Sequence, residues 1–423
     1  MFVCLFVGII SFILFALFLG NSYNQTALIN RANVIVVDYD PGTPLSVGLK
    51  SFIQFWNNQN VTNITGILQT LPTLVYQDGK SLYPGGTQEV IDRVETAQGN
   101  VYGALVLAPG SFATLYEALI NPTAPIYNPF NVLTLIYDEG YNMNFIDGFI
   151  FADVLVASVF YSYNFAEVLT TDIVVPLLQN TTTQPQVIAA MAHNPLAFAA
   201  PVSFNLINTH PVEAYTTVIV GAMTTTTAVI FEFIFSMLTA IATYFITTHL
   251  GKVHHVNTWH LQLFRIGSLF ASSFLMSLLI SVQVPMFGGS MYLGWAPYWL
   301  LVWFTMFGFQ LIVMSLFVAF PQPVAGLLML SFLISNAASA TFGAPLEVTN
   351  SFYLYGYMMP YRATISAGRH ILFGSSNQLY RDLPILAVWV VVPIITIFLS
   401  TFIQGKFAIY KAKKAKKAEV SKA

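Results

Sequence analysis

Glu232 is the one acidic or basic side chain inside any long apolar stretch of this 423-residue chain. A carboxylate at the centre of a bilayer costs about 3 kcal/mol when charged, so it must face protein or hold a proton. Two readings stand side by side. In one, Glu232 is a proton or cation relay or a substrate contact, with Gln310 as the second polar group of an intramembrane site. In the other it is a neutral acid, hydrogen-bonded to one of the threonines at 224–227 or to Gln310.

Elsewhere the residue types point to chemistry only weakly. Asp38, Asp40, Asp138 and Glu139 follow strand-like runs, where paired acids could act as acid and base or hold a cation. Turn chemistry places Asp after a strand equally well. His249, His254, His255 and His260 share one polar stretch but lack the tight i,i+4 pair and third ligand of a zinc site. Gly79-Lys80-Ser81 matches the end of a phosphate-binding loop, yet Leu74 stands where the cradle's first glycine belongs. No G-x-S-x-G and no H-E-x-x-H occurs, and the single cysteine, Cys4, excludes a disulfide within the chain. The chain therefore reads as a non-enzyme with no catalytic residue, metal, cofactor, nucleotide-binding domain or nucleic-acid partner.

What must position Glu232 is a membrane fold. Charged residues are 8% of the chain and hydrophobic residues 56%. A soluble domain carries about 25% charged residues, so much of this surface faces lipid. Apolar runs at 2–19, 217–247, 266–284, 295–320, 324–342 and 383–403, with Glu232 their one charged residue, predict six transmembrane helices. No basic segment precedes the first run and no clear A-x-A site follows it, which favours a retained anchor over a signal peptide. Pro321-Gln322-Pro323 removes two backbone donors and predicts a tight turn between the fourth and fifth spans.

Orientation follows from sugars and charge. All four N-x-S/T sequons, at Asn24, Asn60, Asn63 and Asn180, lie between the first and second apolar runs. Residues 20–215 hold four Lys/Arg against fourteen Asp/Glu, whereas the residues after Gln404 hold seven Lys against one Glu. The positive-inside rule then puts the basic tail in the cytosol and the acidic region outside. The lysines at 411–422 fit contact with an anionic leaflet, so membrane lipids are the expected partners, and a homodimer is compatible with the layout. The expected organisation is an anchor (1–19), an extracytoplasmic domain (20–215), a five-helix membrane domain (216–404) and a basic cytoplasmic tail (405–423). Arg362, Arg369 and Arg381 fall on the outer side, which predicts an interfacial or re-entrant segment at 346–382.

Within the outer domain, residues 33–40, 101–107 and 132–137 read as buried strands and 112–120 and 145–179 as helices, with 200–206 extended. Alternation of strands and helices predicts a mixed α/β domain. The fold class expected is thus a membrane α-helical protein with six transmembrane helices and a large mixed α/β extracytoplasmic domain between helices 1 and 2.

One block carries a family resemblance. Residues 345–379 read PLEVTNSFYLYGYMMPYRATISAGRHILFGSSNQL. They resemble the fungal nitrosoguanidine-resistance protein family, itself related to bacterial phage-infection-protein-like membrane proteins. The block supplies Tyr355, Gly356, Tyr357, Pro360, Arg369, Phe373, Gly374 and Asn377 as family-motif residues. VVDYD at 36–40, YGALVLAPG at 102–110, IYDEG at 136–140 and PVSFNLINTHPV at 201–212 extend the likeness along most of the chain. The N-terminus departs from the family's pattern, being shorter than the basic segment usual there. The resemblance implies a six-span protein similar to the membrane subunits of type-2 ABC transporters, associated with drug and mutagen resistance and membrane lipid homeostasis. A permease-like protein of the plasma membrane or endomembranes is the leading expectation; a non-transporting membrane sensor or scaffold, whose outer domain binds a ligand or partner, is the alternative.

Overall fold

The computed structural model describes residues 25–62, 68–97, 99–212, 226–254, 256–287, 289, 291–340 and 345–420, with 10, 12–14, 16 and 17 of the first apolar run. The chain divides into two compact units. One comprises Asn24–Val212 with Gly343–Ser351; the other comprises Met1–Tyr23, Glu213–Phe342 and Phe352–Ala423.

The first unit is a three-layer α/β fold. Its elements are β1 (Asn33–Asp38), α1 (Pro44–Asn57), β2 (Asn60–Thr62), β3 (Leu68–Thr70), β4 (Thr73–Asp78), α2 (Thr87–Glu95), β5 (Val101–Leu107), α3 (Ser111–Ile120), β6 (Leu133–Tyr137), α4 (Met143–Gln179), α5 (Gln184–His193) and β7 (Phe204–Asn208). The main sheet has the order β4-β1-β5-β6-β7, with β5 and β6 antiparallel and the other neighbours parallel. Strands covered on both faces read as unbroken apolar runs. β1 and β5 obey this: Val34, Val36, Leu105 and Leu107 meet α1, α3 and α4, while Ile35, Val37, Ala104 and Val106 meet Val90 and Val94 of α2. Each such side chain contributes about 1.5–3 kcal/mol on leaving water. Helix α1 starts where Thr43 accepts from the Ser46 amide and Pro44 fills the first turn. α4 is long and apolar, but it lays Phe145, Ile150, Val154, Tyr161 and Phe165 into this core, and π-helical turns interrupt it at Ile146–Phe151 and Thr170–Val174.

The strands expected at 101–107 and 132–137 are β5 and, one residue shorter, β6. β1 stops at Asp38, and the extended stretch at 200–206 yields β7 two to four residues later. β4 and α1 have no counterpart in the sequence-based reading.

The second unit is helical: α6 (Thr226–Val253), α7 (Thr258–Ser281), α8 (Trp295–Ala319), α9 (Gln322–Ala338), α10 (Pro360–Phe373) and α11 (Leu379–Val420). Helix α8 lies at its centre, packed by α6, α7, α9, α10 and α11. The outward faces are apolar: Phe231 and Leu238 on α6, Leu275 and Leu279 on α7, and Val391 and Ile395 on α11 are all exposed. Such contiguous apolar surface needs lipid. Inside, serines let helices approach closely. Ser273 and Ser277 of α7 accept from Trp303 and Trp299 of α8 at 3.2 and 3.1 Å, and Trp295, Trp299 and Trp303 stack along one face of α8.

Among the described residues five helices are long and apolar enough to cross a membrane: Met143–Gln179, Thr226–Val253, Thr258–Met286, Trp295–Ala319 and Leu379–Phe407. The last four correspond to expected spans. The first was expected as a helix of the α/β domain, and it packs as one. At 324–342, expected as the fifth span, the structure forms α9, a shorter apolar helix of 17 residues. It is about 25 Å long against hydrocarbon about 30 Å thick. The run at 2–19 lies largely outside the described residues.

Candidate functional site

Glu232 projects from α6 into the middle of the helical unit and is 3% exposed. Phe233 beside it packs on Phe309 of α8, Phe332 of α9 and Tyr361 of α10, with ring centroids 5.4–6.1 Å apart. This aromatic seam fixes α6 against three helices and holds the carboxyl inward. Tyr298 of α8 and Tyr361 of α10 both lie within electrostatic range of Glu232.

Several buried polar atoms of the helical unit lack a hydrogen-bond partner among the described residues. Glu232 Oε2, Ser236 Oγ, Tyr298 OH, Gln310 Nε2 and Tyr361 OH are all buried and have no partner among the described residues. Buried polar atoms are ordinarily bonded, since leaving one unmade costs about 1–3 kcal/mol. Trp295 Nε1, Arg362 Nε and Nη1 and Asp382 Oδ2 of the same unit likewise lack a partner among the described residues, so polar groups are retained against packing at more than one place in it. A carboxyl and two phenols can pass a proton or bind a donor-bearing solute.

The bland reading of Glu232 finds little support in the geometry. Gln310 Oε1 accepts from Ser272 at 3.1 Å rather than bonding Glu232. Thr226 donates to the Ala340 carbonyl at 3.1 Å, Thr227 is exposed, and the threonines at 224 and 225 lie outside the described residues. Ser236, Tyr298 and Tyr361 carried no signal in sequence, because a Tyr or Ser in an apolar helix is unremarkable until a carboxyl faces it.

A second polar cluster gathers around the family-like block. The arginines at 362 and 381 flank Asp382, at 3.8 and 3.2 Å, and Asp382 is fully buried. The Tyr357 ring lies against both guanidinium groups, 4.2 Å from Arg362 and 5.3 Å from Arg381. Tyr355 donates to the Ser335 carbonyl at 3.0 Å, and Gly356 is buried. Pro360 opens α10; Gly374 closes it at φ +85°, a left-handed cap that suits glycine. Phe373 and Arg369 are half-buried, and Asn377 is exposed, accepting from the Leu379 amide at 3.4 Å. α10 is buried on nearly every side against α6, α8, α9 and α11. Within the segment expected to be interfacial or re-entrant, the arginine at 362 is held by Asp382 inside the unit rather than by water.

The acids of the α/β unit are separated by topology. β1 and β6 run in opposite directions, so Asp38 and Asp40 stand at one end of the sheet and Asp138 and Glu139 at the other. Asp38 accepts from Ser46 Oγ, Tyr76 OH and the Asp40 amide at 2.5, 2.8 and 2.8 Å; Asp40 accepts from the Phe112 amide at 3.0 Å. Glu139 accepts from Asn208 and the Val212 amide at 2.7 and 2.9 Å, and Asp138 lies 3.2 Å from His210. That hydrogen bond to Asp138 holds the imidazole above its ordinary pKa, against the opposing effect of burial. Asp78 takes the Lys80 and Ser81 amides at 3.0 and 3.3 Å, occupying the donors a phosphate would need. Glycine is obligatory at position 79, where a Cβ would meet the Tyr39 ring at 2.8 Å.

Of the histidines at 249–260, those at 249, 254 and 260 are exposed and 255 lies outside the described residues; no group of metal-ligating side chains forms among the described residues. Asn180 is exposed and accepts from the Thr182 amide at 3.0 Å. Asn24 and Asn63 lie outside the described residues, and Asn60 begins β2.

Residues 3–395 match the family model described as a protein of unknown function, DUF3533. The uncharacterized endoplasmic reticulum membrane protein YJR015W of Saccharomyces cerevisiae is 23% identical over 404 residues, covering 88% of this chain and 73% of its own length. No solved structure matches.

Proposed function

The chain belongs to the DUF3533 family of proteins of unknown function, and from that premise we propose that it is a permease-like membrane protein. It exports small molecules or controls lipid distribution across the bilayer, and through either route confers resistance to drugs or mutagens. The observation that carries this reading is the buried Glu232 carboxyl with one oxygen unbonded and the unbonded hydroxyls of Tyr298 and Tyr361 within its electrostatic range. The resemblance of residues 345–379 to the nitrosoguanidine-resistance family supports it, as does the six-span layout expected with the run at 2–19 included. Sequon placement and tail charge support an α/β unit outside the cytosol and a cytosolic C-terminus. The endoplasmic reticulum location of the yeast relative supports an endomembrane.

The test is Glu232→Gln, expressed at matched abundance in cells lacking their own family member. Drug resistance and the transbilayer distribution of labelled lipid are measured together. The variant is expected to fall to the level of the deletion. Full resistance with normal lipid asymmetry refutes a route through this carboxyl. It would favour the second reading, a sensor or scaffold, which the scarcity of charge within the spans supports.

A further inference from the structure

The α/β unit contains a cleft of about 710 Å³ between α1 and α4, within the size range of small-molecule sites. Its floor is well packed: Tyr161 and Phe165 are buried, and the Tyr161 hydroxyl donates to the Leu45 carbonyl at 2.8 Å. Its walls are not. Val47 and Phe55 of α1 stand 57% and 58% exposed, and Val168 of α4 faces them 48% exposed.

Gly48, in the interior of α1, marks the floor. A Cβ there would lie 3.6 Å from Phe165 and 3.8 Å from Tyr161, which is ordinary contact. Neither packing nor a left-handed φ requires glycine, and glycine weakens a helix interior relative to alanine. The chain forgoes helix stability and keeps the volume open.

The rim is rich in acceptors. Asn164 spends one of its two amide N–H groups on the Phe160 carbonyl at 2.8 Å, and Ser51 its hydroxyl proton on Val47 at 3.1 Å, leaving both side-chain oxygens free to accept. Asp172 adds an exposed carboxylate, delivered by the π-helical turn at Thr170–Val174. No lysine or arginine lines the cleft. An apolar slot whose one charged rim group is a carboxylate, with no cation in its lining, disfavours a fatty acid and favours an apolar tail ending in a cation.

We propose that the cleft between α1 and α4 binds amphiphilic amines, the hydrocarbon chain lying over Gly48 and the ammonium group against Asp172. This goes beyond the reading of Glu232 and does not depend on it.

The full chain in nanodiscs is titrated with radiolabelled dodecylamine, dodecanol and laurate, with empty nanodiscs subtracted. Saturable dodecylamine binding is expected, with laurate at least tenfold weaker. Asp172→Asn is expected to weaken dodecylamine about tenfold and leave dodecanol unchanged, a split that general misfolding would not produce. Gly48→Leu, which fills the floor, should abolish binding of both. No saturable binding in the unaltered chain, equal binding of amine and acid, or unchanged dodecylamine affinity in Asp172→Asn overturns the proposal. So does a dimer that Gly48→Leu dissociates in the absence of amine binding, because the cleft would then be covered by a second copy.

Discussion

Replacing Asp382 by Asn should destabilise the helical unit by about 3–5 kcal/mol, the cost of leaving a buried cation without its partner. The structure sets that magnitude. Arg362 and Asp382 are 3.8 Å apart with side chains 7% and 0% exposed, and two unit charges at that distance attract by about 4 kcal/mol at an effective dielectric of about 20. Arg381 contributes less despite its 3.2 Å approach, because it is 31% exposed and partly screened. Arg362 Nε and Nη1 have no hydrogen bond among the described residues, so the carboxylate is the chief compensation for that guanidinium. The Tyr357 ring at 4.2 Å remains and limits the loss by about 1 kcal/mol. The assay is denaturation of the full chain in detergent by SDS, followed by tryptophan fluorescence, with Arg362→Met/Asp382→Leu as the companion. Removing both charges should recover most of the loss. A cost below about 1 kcal/mol for Asp382→Asn, or a double variant as unstable as the sum of the singles, would refute the claim that burial makes this pair matter.

Three further outcomes follow from the α/β unit. Gly48→Ala should stabilise it by about 0.5–1 kcal/mol, read as slower limited proteolysis of the full chain, because the added Cβ meets only ordinary contacts. Since the His210 pKa is raised in the folded chain, the stabilisation it brings is complete below about pH 6.5 and is lost as pH climbs through the raised value. Protection factors at β6 and β7, with exchange corrected for its intrinsic pH dependence, should therefore be higher at pH 6 than at pH 8.5, and Asp138→Asn should flatten that difference. Asn180 is exposed and offers an N-T-T acceptor; endoglycosidase should shift the chain's mobility, and Asn180→Gln should remove one step of that shift.

How far the sequence could be read depended on what each signal reports. Helix α8 was bounded almost to the residue because Gly294 before it and the prolines after it break helices whatever surrounds them. The cores of β1, β5 and β6 were legible as apolar runs because both sheet faces are covered. β4 was not: only Leu74 among its six residues is buried, so its composition resembles a loop. α1 had a usable start in Thr43 and Pro44 that went unread. Arginines at 362, 369 and 381 suggested an interfacial or re-entrant segment, and polarity along a chain does not reveal that Asp382 folds back against Arg362. Glu232 was conspicuous as an isolated charge; the phenols that face it come from other helices, and no local pattern announces them.

The short return strand of chain at Gly343–Ser351 imposes an order on biogenesis. Val348 belongs to the α/β core, and the Thr349 carbonyl receives the Arg31 guanidinium at 2.8 Å. A ribosome that has finished residue 212 has therefore not yet made the piece that completes this lobe; α6 to α9 must emerge first. Until then the lobe lacks part of its core, which makes it a natural substrate for chaperones and gives a reason that a fragment cut at residue 212 would be a poor substitute for the whole.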